Sequence, residues 1–93
     1  KIYFNLSYNY HILDDHQNVL LNANKGIDYC NKYYFSYSLG PLLYRKGIAE
    51  FALGIPSYLQ SLQSAVQILN IQNASELAEK YKTVTKETYG III

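Results

Sequence analysis

The sequence contains no tryptophan or methionine, one cysteine and one arginine. Cys30 has no second cysteine to join, so an internal disulfide is excluded and a reducing, cytoplasmic setting is expected. Lys and Arg number 8 against 7 Asp and Glu, and charged residues are only 16% of the 93, leaving a net charge of +1. That balance excludes a broad electrostatic grip on nucleic acid or an anionic membrane, because both require clustered cations. No apolar run approaches the roughly 20 residues of a membrane span, and no basic-then-apolar leader is read. Period-two alternation is missing as well, so strands are not expected. A Gly-rich phosphate loop needs a strand before it, and no nucleotide or other cofactor is expected.

What is present is 49% apolar residues and 11 tyrosines. The apolar share suits one small domain over residues 1–93, with a real but modest core. Abundant Tyr, Asn, Ile and Lys match an AT-rich coding bias, and tyrosine adds apolar area with a polar tip. The chain starts at Lys1 and has no methionine, so it is expected to be a piece of a longer protein.

Helical periodicity runs through most of the sequence. Tyr3, Leu6, Tyr10 and Leu13 form one stripe. Asp14 and Asp15 interrupt it, and either carboxylate suits the free amides of a second helix starting near His16. Leu20, Ala23, Ile27, Cys30 and Tyr34 form that helix's apolar stripe, opposite Asn22, Asn24, Lys25, Asp28 and Lys32. A third helix is predicted from Ser38 to about Leu53, with Pro41 tolerated in its first turn. A fourth follows Pro56 and Ser57, burying Tyr58, Leu59, Leu62, Ala65, Val66 and Leu69 and exposing Gln60, Gln63, Ser64 and Gln67. Asn73 with Glu76 reads as a capping pair for a fifth helix carrying Leu77, Ala78, Tyr81 and Val84, which Gly90 ends. Ile91 to Ile93 form an apolar tail that packs on the helices, joins a partner surface or continues onward.

Gly47 sits inside the third helix, where glycine costs about 1 kcal/mol relative to alanine. That helix has apolar residues on two sides, Tyr44, Ile48 and Phe51 on one and Leu42, Ala49 and Leu53 on the other. Gly47 is therefore expected where a neighbouring helix crosses closely. Gly54 has a different task, ending the helix in the left-handed conformation so that the chain reverses into Pro56 and Ser57.

A small residue at a crossing, a glycine turn seven residues on and then Tyr58, Ser61 and Ala65 at packing positions resemble one tetratricopeptide unit. The alignment needs a one-residue insertion at Ile55-Pro56 and lacks the usual Trp and closing Pro. A weaker copy spans Tyr3 to Cys30, and the fifth helix reads as the start of a third unit or as a cap. The expected fold is all-α, about five helices in antiparallel hairpins stacked as a right-handed tetratricopeptide-like solenoid.

More narrowly, the run Tyr44-Arg45-Lys46-Gly47-Ile48-Ala49-Glu50 and the run Leu77-Ala78-Glu79-Lys80-Tyr81 resemble the C-terminal domain of Gram-positive peptide-sensing helix-turn-helix transcription regulators of the Rgg/PlcR type. The resemblance implies a domain that binds a short signalling peptide and forms a homodimer, with DNA held only by a domain outside this chain and no membrane partner. Peptide-binding candidates are Asn5, Tyr8 and Asn9 from the first helix and Tyr44, Ile48 and Phe51 from the third, against the plain alternative that the latter are core and the asparagines solvated. The runner-up function is a constitutive tetratricopeptide scaffold that docks a protein partner without any DNA-binding neighbour.

Catalysis and metal binding find little support. His11 and His16 straddle the Asp14-Asp15 turn without sharing a helical face, and no cysteine cluster completes a zinc site. Cys30 lies on an apolar stripe, where cysteine behaves as a small hydrophobe. Glu76, Glu79 and Glu87 with Lys80, Lys82 and Lys86 read as surface pairs on the fifth helix. No pair of titratable groups is placed to exchange protons with a substrate, so no enzyme is expected.

Overall fold

The computed structural model describes residues 15–33 and 37–93. Among them are four α-helices and no strand: α1 (His16–Lys32), α2 (Leu39–Leu53), α3 (Tyr58–Ile71) and α4 (Ser75–Tyr89). The predicted helix over Tyr3 to Leu13 lies outside the described residues. No helix among the described residues is long and apolar enough to cross a membrane.

Local chemistry sets the helix ends. Asp15 caps α1, its carboxylate accepting from the Asn18 backbone N–H at 3.3 Å and from the Asn18 side-chain amide at 2.7 Å. In α2 the first backbone bond runs from Leu42 N–H to Ser38 O at 3.0 Å, so Pro41, which has no N–H, sits where none is required. Gly54 closes α2 at φ +74°. The Ile55 N–H then reaches back to Glu50 O at 2.8 Å, the six-to-one bond that ends a helix through a left-handed residue.

One boundary differs from the sequence reading. Asn73 does not cap α4, whose N-cap is Ala74 with no side-chain bond. Asn73 instead takes φ +60° and terminates α3, with Ala74 N–H bonding Leu69 O at 2.8 Å and Asn73 N–H bonding Asn70 O at 3.2 Å. Asparagine is tolerated in the left-handed region almost as glycine is, and that role displaces the capping one.

The α2–α3 hairpin is closely packed, and its register is constant along its length. A Cβ built on Gly40 meets Leu69 at 2.8 Å, one built on Gly47 meets Leu62 Cγ and Cδ2 at 2.6 Å, and Phe51 meets Tyr58 edge-on at 5.2 Å. That same Gly47 Cβ would stand 3.1 Å from the Leu62 backbone nitrogen, so the crossing expected there is present. Gly40, in the first turn of α2, adds a second close approach on the same face.

Packing shifts some predicted stripes. In α1 the buried positions are Val19, Ala23, Gly26 and Cys30, with Leu20 and Ile27 only half-buried on the flank. Leu21 on this helix is half exposed. On α3, Ser61 joins Leu62, Ala65 and Leu69 inside, whereas Leu59 is exposed. Neighbours on both sides of α2, α1 and α3, account for seven buried residues in that one helix, Gly40, Leu42, Tyr44, Gly47, Ile48, Ala49 and Glu50.

Candidate functional site

Helix α4 lies along α2 through aromatic side chains. The Tyr44 and Tyr81 rings stack with centroids 4.0 Å apart and planes 6° from parallel. Further along the same two helices, Phe51 meets Tyr89 edge-on at 5.8 Å. Residue numbers rise together along both helices, so α2 and α4 run in the same direction with antiparallel α3 packed against both.

Thr85 connects the stack to the backbone. Its hydroxyl donates to Tyr81 O at 2.5 Å, which leaves the Tyr44 hydroxyl to donate to Thr85 Oγ1 across 2.9 Å. Burial pushes the Tyr81 phenol above the ordinary tyrosine range, offset in part by the nearby Arg45 charge. Tyr44→Phe removes one buried neutral hydrogen bond while keeping the ring stack, so it is expected to cost about 1 kcal/mol. Chemical denaturation of the two proteins checks this, and the midpoint should fall with no change in slope.

Below the stack lies an apolar cluster of Tyr44, Ile48, Leu62, Ala65 and Ile91, flanked by Leu43, Tyr58, Tyr81, Tyr89 and Ile93. Three helices and the tail meet here. Gly90, at φ +69°, ends α4 and turns the chain so that Ile91 enters the cluster, its N–H 3.4 Å from Thr85 O. Ile92 points outward and is 78% exposed. Ile91 thus packs on the preceding helices.

The peptide-binding candidates separate accordingly. Tyr44 and Ile48, at 4% and 1% exposure, do not line an open groove, since their side chains are taken up in the cluster that includes Ile91. Phe51 remains 36% exposed at the end of the hairpin, between Tyr58 and Tyr89. Asn5, Tyr8 and Asn9 lie outside the described residues. Sequence reasoning missed Thr85 and Tyr89, although Tyr81, Thr85 and Tyr89 recur at the four-residue spacing of one helical face.

Glu50 was also missed. It is 4% exposed, and its carboxylate accepts from the Ser57 hydroxyl and from Ser61 Oγ at 2.5 Å. Ser57 is the α3 N-cap residue, so the charge sits at the end of α3 where the helix dipole favours an anion. This arrangement fastens the turn of the hairpin.

Other reactive groups are quiet. Burial pushes the Cys30 thiol up, partly opposed by a backbone hydrogen bond from Ser38, and a thiol so placed is a poor nucleophile. Among the described residues no three His, Cys, Asp or Glu side chains stand together as a metal site, and His11 lies outside them. On α4, Lys82 and Glu79 form an exposed pair at 3.5 Å, worth little in stability.

No protein-family model, curated protein or solved structure matches this chain.

Proposed function

We propose that the chain is the regulatory, peptide-binding and dimer-forming domain of a cytoplasmic transcription regulator, built as a tetratricopeptide-like right-handed solenoid, with its DNA-binding part outside this sequence. The observation that carries this reading is the close α2–α3 crossing, with Leu62 against Gly47 and a left-handed Gly54 turn seven residues later. Parallel α2 and α4 flanking antiparallel α3 support this reading, since first helices of successive repeat units run parallel and present a continuous binding face. Aromatic and aliphatic groups on that face suit an extended peptide, whose side chains need apolar pockets. The predicted Tyr3 to Leu13 helix adds Asn5, Tyr8 and Asn9 as amide and hydroxyl groups for its backbone.

A peptide acts here by population shift: it binds one arrangement of the helices better than another and so changes how the attached DNA-binding parts are held. Calorimetric titration of the intact regulator with short peptides encoded in the same genome, followed by DNA-binding assays, tests the reading. Saturable peptide binding that changes DNA affinity is the expected result. Binding without effect on DNA favours the constitutive scaffold, and no peptide binding contradicts both the sensing role and the groove.

A further inference from the structure

The tail after Gly90 is bound to this protein in the way a short extended ligand would be. Its three isoleucines alternate, Ile91 buried, Ile92 exposed and Ile93 half-buried, which is the in-out-in pattern of an extended segment lying on a surface. It carries no helical structure, and the 3.4 Å contact from Ile91 N–H to Thr85 O is long for a hydrogen bond. Side chains hold it in place. Ile91 enters the cluster with Tyr44 and Ile48, two residues that the family resemblance offers as peptide-binding. Lys82, Thr83 and Lys86 border a shallow depression with Ile92 and Ile93, a margin beside the aliphatic segment in which Lys82 is paired with Glu79 and Lys86 supplies a second cation.

We propose that Ile91–Ile93 is a displaceable, built-in occupant of the apolar site between α2, α3 and α4. The incoming ligand is an extended segment with branched aliphatic side chains at alternate positions and an acidic group close by, and it takes the places of Ile91 and Ile93. This inference rests on the peptide-binding reading above and adds its regulation: the site is filled in the resting state and opens only when the tail leaves. Apparent affinity is then the intrinsic affinity reduced by the fraction of molecules whose tail is out. Gly90 is the hinge, because its left-handed backbone and the absence of a Cβ contact let the chain turn there without repacking.

The test uses the intact chain and the hexapeptide Thr-Tyr-Gly-Ile-Ile-Ile, which copies residues 88–93. Fluorescence anisotropy of the labelled hexapeptide is measured with the wild type, with Ile91→Ser and with Ile93→Ser, each checked for helix content by circular dichroism. Ile93→Ser touches a half-buried side chain and keeps the test decisive should Ile91→Ser fail to fold. The expected result is binding at least about ten-fold tighter to the folded serine variants than to the wild type. Equal binding to all three, or none to the variants, overturns the proposal. Running the genome-encoded peptides against the same proteins separates the two readings: equal binding to every form leaves peptide sensing standing and removes the strap, whereas no binding to any form removes peptide sensing.

Discussion

Gly47→Val is expected to destabilise the protein by about 3 kcal/mol or more, the cost of overpacking a site with no room to relax. A Cβ alone would lie 2.6 Å from Leu62 Cγ and 3.1 Å from the Leu62 backbone nitrogen. Leu62 has no exposed surface, so the side chain has nowhere to swing, and the backbone contact means that α2 and α3 must move apart. Separating them disturbs the constant register at Gly40–Leu69 and Phe51–Tyr58 as well. At about 4–8 °C per kcal/mol for a domain of this size, the melting temperature should fall by more than about 12 °C. Thermal unfolding followed by circular dichroism gives the answer, and an unchanged melting temperature contradicts the crossing.

The second large effect is expected at the turn of the same hairpin. Glu50→Ala removes the acceptor for two hydroxyls, those of Ser57 and Ser61, and Ser61 is itself buried. Hydrogen bonds to a charged group contribute about 1.5–3 kcal/mol, and stranding a buried hydroxyl adds to the loss, so about 2–4 kcal/mol is expected. Glu50→Gln should cost distinctly less. Its amide keeps one acceptor and offers a donor that a rotated serine hydroxyl can accept, losing mainly the charge assistance. Urea denaturation of the three proteins checks the order wild type, Gln, Ala. Equal stability of all three would mean that the carboxylate does not fasten the turn.

These two residues also show how far the fold was legible. Gly47 was readable because a glycine inside an apolar helical run has few explanations other than a close neighbour. Asp15, Pro41, Gly54 and Gly90 were readable because caps and turns depend on chemistry within a few residues of the boundary. Asn73 was misassigned because asparagine serves equally well before a helix and after one. Glu50 and Thr85 were passed over for a single reason: polar residues on a helical stripe look solvated until their partners are known, and those partners lie on other helices or at the next turn.

The candidate site was less legible than the fold. Tyr44 and Ile48 were singled out from helical spacing and lie in the core cluster, but nothing in that spacing shows that Ile91 shares it. The stack of Tyr44 on Tyr81 joins positions far apart in sequence, and its geometry depends on the α2–α3 crossing and on the direction of α4. Phe51 alone among the described candidates remains at the surface, because the hairpin turn at Gly54 places it at the end of the stack. What the tail does follows from Gly90: a left-handed residue there fixes where the next side chain goes, and an apolar one goes inside.

The most direct test of the close crossing is a double-mutant cycle on Gly47→Ala and Leu62→Ala. Alone, Gly47→Ala gains about 1 kcal/mol of helix propensity but places a methyl group against Leu62, and a net loss is predicted. In the Leu62→Ala background the clashing Cγ and Cδ2 atoms are gone and only the 3.1 Å approach to the Leu62 backbone nitrogen remains, so the same substitution should cost distinctly less, a coupling of at least about 1 kcal/mol. Gly47→Ala that stabilises both backgrounds equally would show an open helix face at Gly47 and contradict the account.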